Sequence, residues 1–182
     1  FHDSGAKLPG FVGTNTPTGG TWKVSANSTL NFPAGASIRT NAGNATLTGA
    51  SSSFPALSGF TSNTGTFTLA GGRDFAATPV GGTFSNNGGT INLGPDSTLS
   101  VTGTFTQPGS TLHVDIAGPN AGTDFGQVTA TGAITLNGAL TATLIGGYDP
   151  GFATSFPVVV GSSRTGTFST FTGGPTASNR LL

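Results

Sequence analysis

Phe60-Thr-Ser-Asn-Thr-Gly-Thr-Phe-Thr-Leu69 can be written above Phe84-Ser-Asn-Asn-Gly-Gly-Thr-Ile-Asn-Leu93 in one constant register, and this pairing decides the fold. Phe60 falls on Phe84, Asn63 on Asn87, Gly65 on Gly89, Thr66 on Thr90, Phe67 on Ile91 and Leu69 on Leu93. Further on, Phe75 falls on Leu99 and Ala77 on Val101. Upstream, Gly20-Thr-Trp-Lys-Val24 followed by Ser28-Thr-Leu-Asn-Phe32 matches Gly89-Thr-Ile-Asn-Leu93 followed by Ser97-Thr-Leu-Ser-Val101, three units of about 23 residues away. A period of this size marks a solenoid, a propeller or an array.

Each unit reads as two short strands with alternating apolar residues. Phe67 and Leu69 share one face, Thr66 and Thr68 the other. Strands this short are unstable alone. Winding each unit into one lap of a parallel coil, and piling the laps, gives every internal strand a partner on both sides. The expected fold is therefore all-β, a right-handed parallel β-helix (β-solenoid) of about 20–24 residues per coil with an irregular C-terminal cap. Six or seven coils at about 4.8 Å each make a rod of roughly 30 Å. Asn63 and Asn87 recur at one register, so their side chains are expected to form a structural ladder along the axis. The alternative is that both are ordinary polar turn residues.

Composition agrees with strands and turns. The 182 residues are 34% hydrophobic and 7% charged, with net charge zero. Disorder pairs low hydrophobicity with high net charge, and that pairing is absent. Thr is β-branched and suits strands. The 31 Gly, with many Asn and Ser, suit tight turns. Glu and Met are lacking, and no apolar stripe has helical spacing. Cysteine is absent, which excludes disulfides and thiol chemistry. The neutral balance argues against nucleic acid and against an anionic membrane surface. No apolar run approaches the roughly 20 residues that span a bilayer, so membrane insertion is not expected. The chain does not begin with Met, and reads as a processed chain or an excised segment.

Three regions are expected. Residues 1–19 form an N-terminal arm or linker, 20–172 the solenoid, and 173–182 a C-terminal tail. Within the solenoid, Ile38 and Leu47 are core candidates. Gln107-Pro-Gly-Ser-Thr-Leu-His-Val114 echoes Gly94-Pro-Asp-Ser-Thr-Leu-Ser-Val101 after only half a period, so the strands crowd together there. Asn137-Gly138 suits either a two-residue hairpin or the corner of a coil. The apolar run 156–160 suits a buried strand, and 166–171 the last one.

A resemblance emerges from Gly103-Thr-Phe-Thr-Gln107, Ser110-Thr-Leu-His-Val-Asp-Ile116, Phe125-Gly-Gln-Val128, Thr131-Gly-Ala-Ile-Thr-Leu-Asn-Gly-Ala-Leu140, Gly147-Tyr148 and Gly166-Thr-Phe168. This pattern resembles the end of the repeat region in secreted bacterial β-helix surface proteins, including autotransporter passenger domains and surface repeat proteins. It covers about half of the chain, residues 82–171. The resemblance implies an extracellular or cell-surface location in a bacterium, and a stalk, adhesin scaffold or fibre part. It brings no catalytic motif with it.

Few residues suggest chemistry. Asp74 and Asp96, with Arg73 adjacent, are the best pair for polysaccharide cleavage, which needs two carboxylates flanking the bond. Both sit in Gly- and Pro-rich turns, where Asp is ordinary. Asp115, Asn120 and Asp124 bracket a loop that oxygen-ligated Ca²⁺ could use, but their spacing matches no calcium loop. His2 and His113 are a distant candidate metal pair. The Phe residues at 67, 84, 105 and 168 read as core rather than as sugar platforms. Trp22 is the one aromatic residue singled out as a candidate ligand contact. Asn27 and Asn44 match the glycosylation sequon.

The reading is a non-enzymatic extracellular structural module, without metal or cofactor, that self-associates and could polymerise end to end. A glycan-binding adhesin or phage-fibre segment is the second reading, and a polysaccharide-active enzyme the third.

Overall fold

The computed structural model describes residues 11–12, 16–17, 19–32, 37–151 and 154–173. In chain order the strands are β1 (Phe11–Val12), β2 (Thr16–Pro17), β3 (Thr21–Val24), β4 (Thr40–Asn41), β5 (Asn44–Thr48), β6 (Ser62–Asn63), β7 (Thr66–Ala70), β8 (Phe75–Ala77) and β9 (Thr83–Asn86). They continue with β10 (Thr90–Leu93), β11 (Thr98–Val101), β12 (Thr104–Ile116), β13 (Gln127–Ala130), β14 (Ala133–Leu144), β15 (Val159–Val160), β16 (Ser163–Gly166) and β17 (Thr170–Gly173). One short 3-10 turn, Pro55–Leu57, interrupts them.

All named strand pairs from β3 onward are parallel, and they build a coil. Face A stacks β3, β5, β7, β10, the second half of β12, the second half of β14 and β17. Face B stacks β4, β6, β9, the first halves of β12 and β14, and β16. Face C stacks β8, β11, β13 and β15. In the first laps face C is reduced to a bridge between Thr29 and Ser53. A lap thus has three faces, one more than the two-strand unit expected. The missed face is B, whose first strands β4 and β6 are too short to show alternation.

Rungs on face A start at Thr21, Asn44, Thr66, Thr90, Thr111, Ala139 and Thr170. The first four steps keep to the expected period. The last two, from Thr111 to Ala139 and from Ala139 to Thr170, are longer than expected. In the final step Thr141 and Thr172 stand side by side although they are 31 residues apart. The C-terminal end is thus irregular in lap length, while parallel winding carries on to Gly173. Asn137-Gly138 is a corner inside β14, not a hairpin, because both halves of β14 pair parallel with β12. Among its described residues the arm 1–19 holds the antiparallel pair β1–β2. The tail 173–182 lies outside the described residues beyond Gly173.

The core follows from period-2 alternation on each face. On face A one inward column reads Trp22, Ala45, Phe67, Ile91, Leu112, Leu140, Phe171. Its interior members are buried. Face B contributes Phe84, Phe105 and Ile134, and face C contributes Phe75, Leu99 and Val128. Phe60 meets Phe67 and Phe84 edge-on, at 5.1 and 4.9 Å between ring centroids. Each buried Phe or Leu contributes about 2–3 kcal/mol over its exposed state. Ile38 and Leu47 are buried as expected, and Phe168 is only partly so.

Candidate functional site

The corner between faces B and A carries a buried polar column. Asn41, Asn63, Asn86 and Gln107 occupy successive laps, and none has solvent exposure. Asn41 Nδ2 donates to Asn63 Oδ1 and Asn63 Nδ2 to Asn86 Oδ1, both at 2.9 Å. Each amide also donates to a backbone carbonyl that opens face A one lap on: Asn41 to Thr66, Asn63 to Thr90, Asn86 to Thr111, Gln107 to Ala139. The ladder expected at Asn63 therefore exists, but its next member is Asn86 and not Asn87. Thr61 and Ser62 form a bulge whose two N–H groups both donate to Arg39 O, at 2.8 and 2.9 Å. The extra residue there is balanced by an extra one in the turn after Asn86. Before the corner, Asn63 and Asn86 pair across 23 residues. Beyond it, Thr68 and Asn92 pair across 24 residues. Asn87 is exposed in the turn between.

Asp74 Oδ1 accepts the Thr98 N–H at 2.8 Å, stitching one lap to the next. Arg73 lies 5.9 Å from the Phe75 ring centroid, and its Nη1 donates to the Asp74 carbonyl. Burial lowers the Arg73 pKa, and the neighbouring Asp74 carboxylate opposes that shift. Arg73 Nε and Asp96 Oδ1 are shielded and lack partners among the described residues. In the Ca²⁺-candidate loop, Asp124 Oδ2 accepts from Asn120 N and Nδ2 at 3.1 and 2.7 Å, an ordinary turn-stabilising arrangement. Asp115 instead faces His113 at 3.5 Å on the outside of face A, where His113 Nε2 is also 2.9 Å from Thr143 Oγ1. His2 lies outside the described residues. Among the described residues, no three His, Asp or Glu side chains gather as metal ligands.

Trp22 stands at the first rung of an inward column, half-buried, with its ring 5.9 Å from Phe32. Its indole Nε1 donates to Gly19 O at 3.3 Å. The ring lids the core at that end of the coil. Asn27 and Asn44 are both exposed, and Asn27 Oδ1 accepts from Ser51 Oγ of the next lap at 2.9 Å.

Two features escape a reading of the sequence. On face B the outward column is all hydroxyl: Thr40, Ser62, Ser85, Thr106, Thr135, Thr165. The second is a half-open cavity of about 490 Å³ inside the last and widest coil. Leu136, Leu140, Phe156, Val158, Phe168 and Phe171 line it, with Arg164 at its edge. Its only signal in the sequence is the lengthening of the final lap. No family model, curated protein or solved structure matches the chain.

Proposed function

We propose that this chain is a non-enzymatic extracellular structural module, a stalk, sheath or fibre subunit, on a bacterial cell surface. One observation carries the reading: Asn and Asp side chains join successive laps both inside and outside the coil. Asn63 and Asn86 bridge coils inside, and Asp74 and Asn27 bridge them outside. The neutral, cysteine-free surface of Thr, Ser and Asn and the resemblance to secreted β-helix proteins support the location.

Self-association through the end rungs is the proposed mode of assembly. Among the described residues, the strands β3 and β17 close the two ends of face A, each paired on one side only. An unpaired edge is a template for another strand. A copy shifted along the axis would bring β17 beside β3 in parallel, a contact that does not close and so extends. Arg164 takes an inward position in the last rung, which makes face B the weaker half of such a contact. Negative-stain microscopy with light scattering tests the proposal. Rods that lengthen into filaments with concentration support it, and compact globules contradict it.

Nucleic acid and membrane insertion are not proposed partners. Among the described residues no helix is long and apolar enough to cross a membrane. The hydroxyl column on face B favours one second reading, glycan binding, since a row of hydroxyls offers both donors and acceptors to a sugar. A glycan array followed by Thr106→Val and Trp22→Ala separates the two. A reducing-end screen, with Asp74→Ala and Asp96→Ala controls, addresses the enzymatic alternative.

A further inference from the structure

The last coil encloses more space than its own side chains fill. Inward positions that hold Ile134, Leu136 and Ala142 in one rung hold Arg164, Gly166 and Gly173 in the next. Two glycines and an exposed cation thus replace three core residues, while the lap between Ala139 and Thr170 is the longest of the coil. The cavity of about 490 Å³ is the result. That volume is within the range of small-molecule pockets, which are mostly apolar with a few polar groups that orient the ligand.

The polar group here is the Arg164 guanidinium. No side-chain ion pair or hydrogen bond of Arg164 is present among the described residues. In register it continues the column Phe84, Phe105, Ile134, so its stem starts from a core position at the edge of the cavity. An apolar chamber with one unpaired guanidinium at its edge suits a molecule with an apolar body and a single negative head. Guanidinium and carboxylate form charge-assisted, often bidentate hydrogen bonds.

We propose that this chamber binds an amphipathic monoanion of the fatty-carboxylate class, with the hydrocarbon chain against Leu136, Leu140, Phe156 and Phe168 and the carboxylate on Arg164. The chamber exists whether or not copies stack. A copy stacked on this end and a bound amphiphile would exclude one another.

The test is fluorescence titration of the full chain with 11-(dansylamino)undecanoate, then displacement by dodecanoate and by dodecanol, with light scattering on the same samples. Expected is saturable binding at one site per chain, displaced by both competitors. Arg164→Gln should weaken dodecanoate by about tenfold or more and leave dodecanol unchanged. Arg164 is exposed, so this variant should fold as the parent does. Absent or unsaturable binding overturns the proposal, and so does an equal response of both competitors to Arg164→Gln. Scattering reports assembly and fluorescence reports the chamber, so the two readings can fail separately.

Discussion

Asn63 Nδ2 lies within hydrogen-bond distance of three acceptors, Gly65 O, Asn86 Oδ1 and Thr90 O. Replacing it with Ala removes these bonds and leaves Asn41 Nδ2 without its side-chain acceptor. Buried groups stranded in this way cost about 1–3 kcal/mol each. Asn63→Ala is expected to destabilise by about 3 kcal/mol, read as a lower midpoint in urea. Asn87→Ala, at an exposed turn position, should stay within about 0.5 kcal/mol. If the two variants lose equal stability, the ladder is misassigned. The sequence locates this corner but points to the wrong second Asn. Both Asn86 and Asn87 follow Phe84, and aligning on glycine selects Asn87. Only the Thr61–Ser62 bulge, set by backbone hydrogen bonds to Arg39, reveals the shift. Gln107 sits in the same column, but its longer side chain bonds Ser110 O and Ala139 O and leaves Oε1 without a partner. The ladder ends there, with Leu136 next in register.

At the scale of the strand, alternation is readable wherever a run is long enough to keep period 2 over several residues. The pairs Phe67–Ile91 and Phe75–Leu99 fall in register as expected. Corners are harder, because β12 and β14 run through them without a break. Gly138 is the clearest case, with φ +86 and the backbone of Ser110 crowding the place where a Cβ would stand. A hairpin and a coil corner both need such a glycine, so local sequence does not discriminate. The corner does predict a steric outcome. Gly138→Ala places a methyl group against the backbone of the lap below, in a conformation L-residues avoid. Destabilisation of about 2–4 kcal/mol is expected by thermal or urea unfolding. The half-period echo between 94–101 and 107–114 has a simple origin. It relates β11 on face C to the second half of β12 on face A, so it joins two faces of the coil and not two laps.

For the molecule as a whole, the winding is legible from the period, while the widening of the last laps is not. Inserted residues add space without changing strand alternation, so periodicity carries no record of what fills them. Stability should grade along the axis, since each rung contacts only its neighbours. The strands β7 and β10 have partners on both sides, while β16 and β17 are exposed at every position and, among the described residues, paired on one side. Hydrogen exchange should therefore be slowest in β7 and β10 and fastest in β16 and β17. Uniform protection would indicate a single cooperative block instead.

Stacking of the chain into a parallel coil is tested most directly by one distance. Lys23 and Thr172 occupy the first and last rungs of one outward column, and the chain has no natural cysteine to interfere. Cysteines placed at both positions and spin-labelled should give a narrow separation of about 29 Å, six steps of about 4.8 Å. A separation of about 10 Å or less, as when first and last strands pair or pack side by side, would contradict it, and so would a broad distribution.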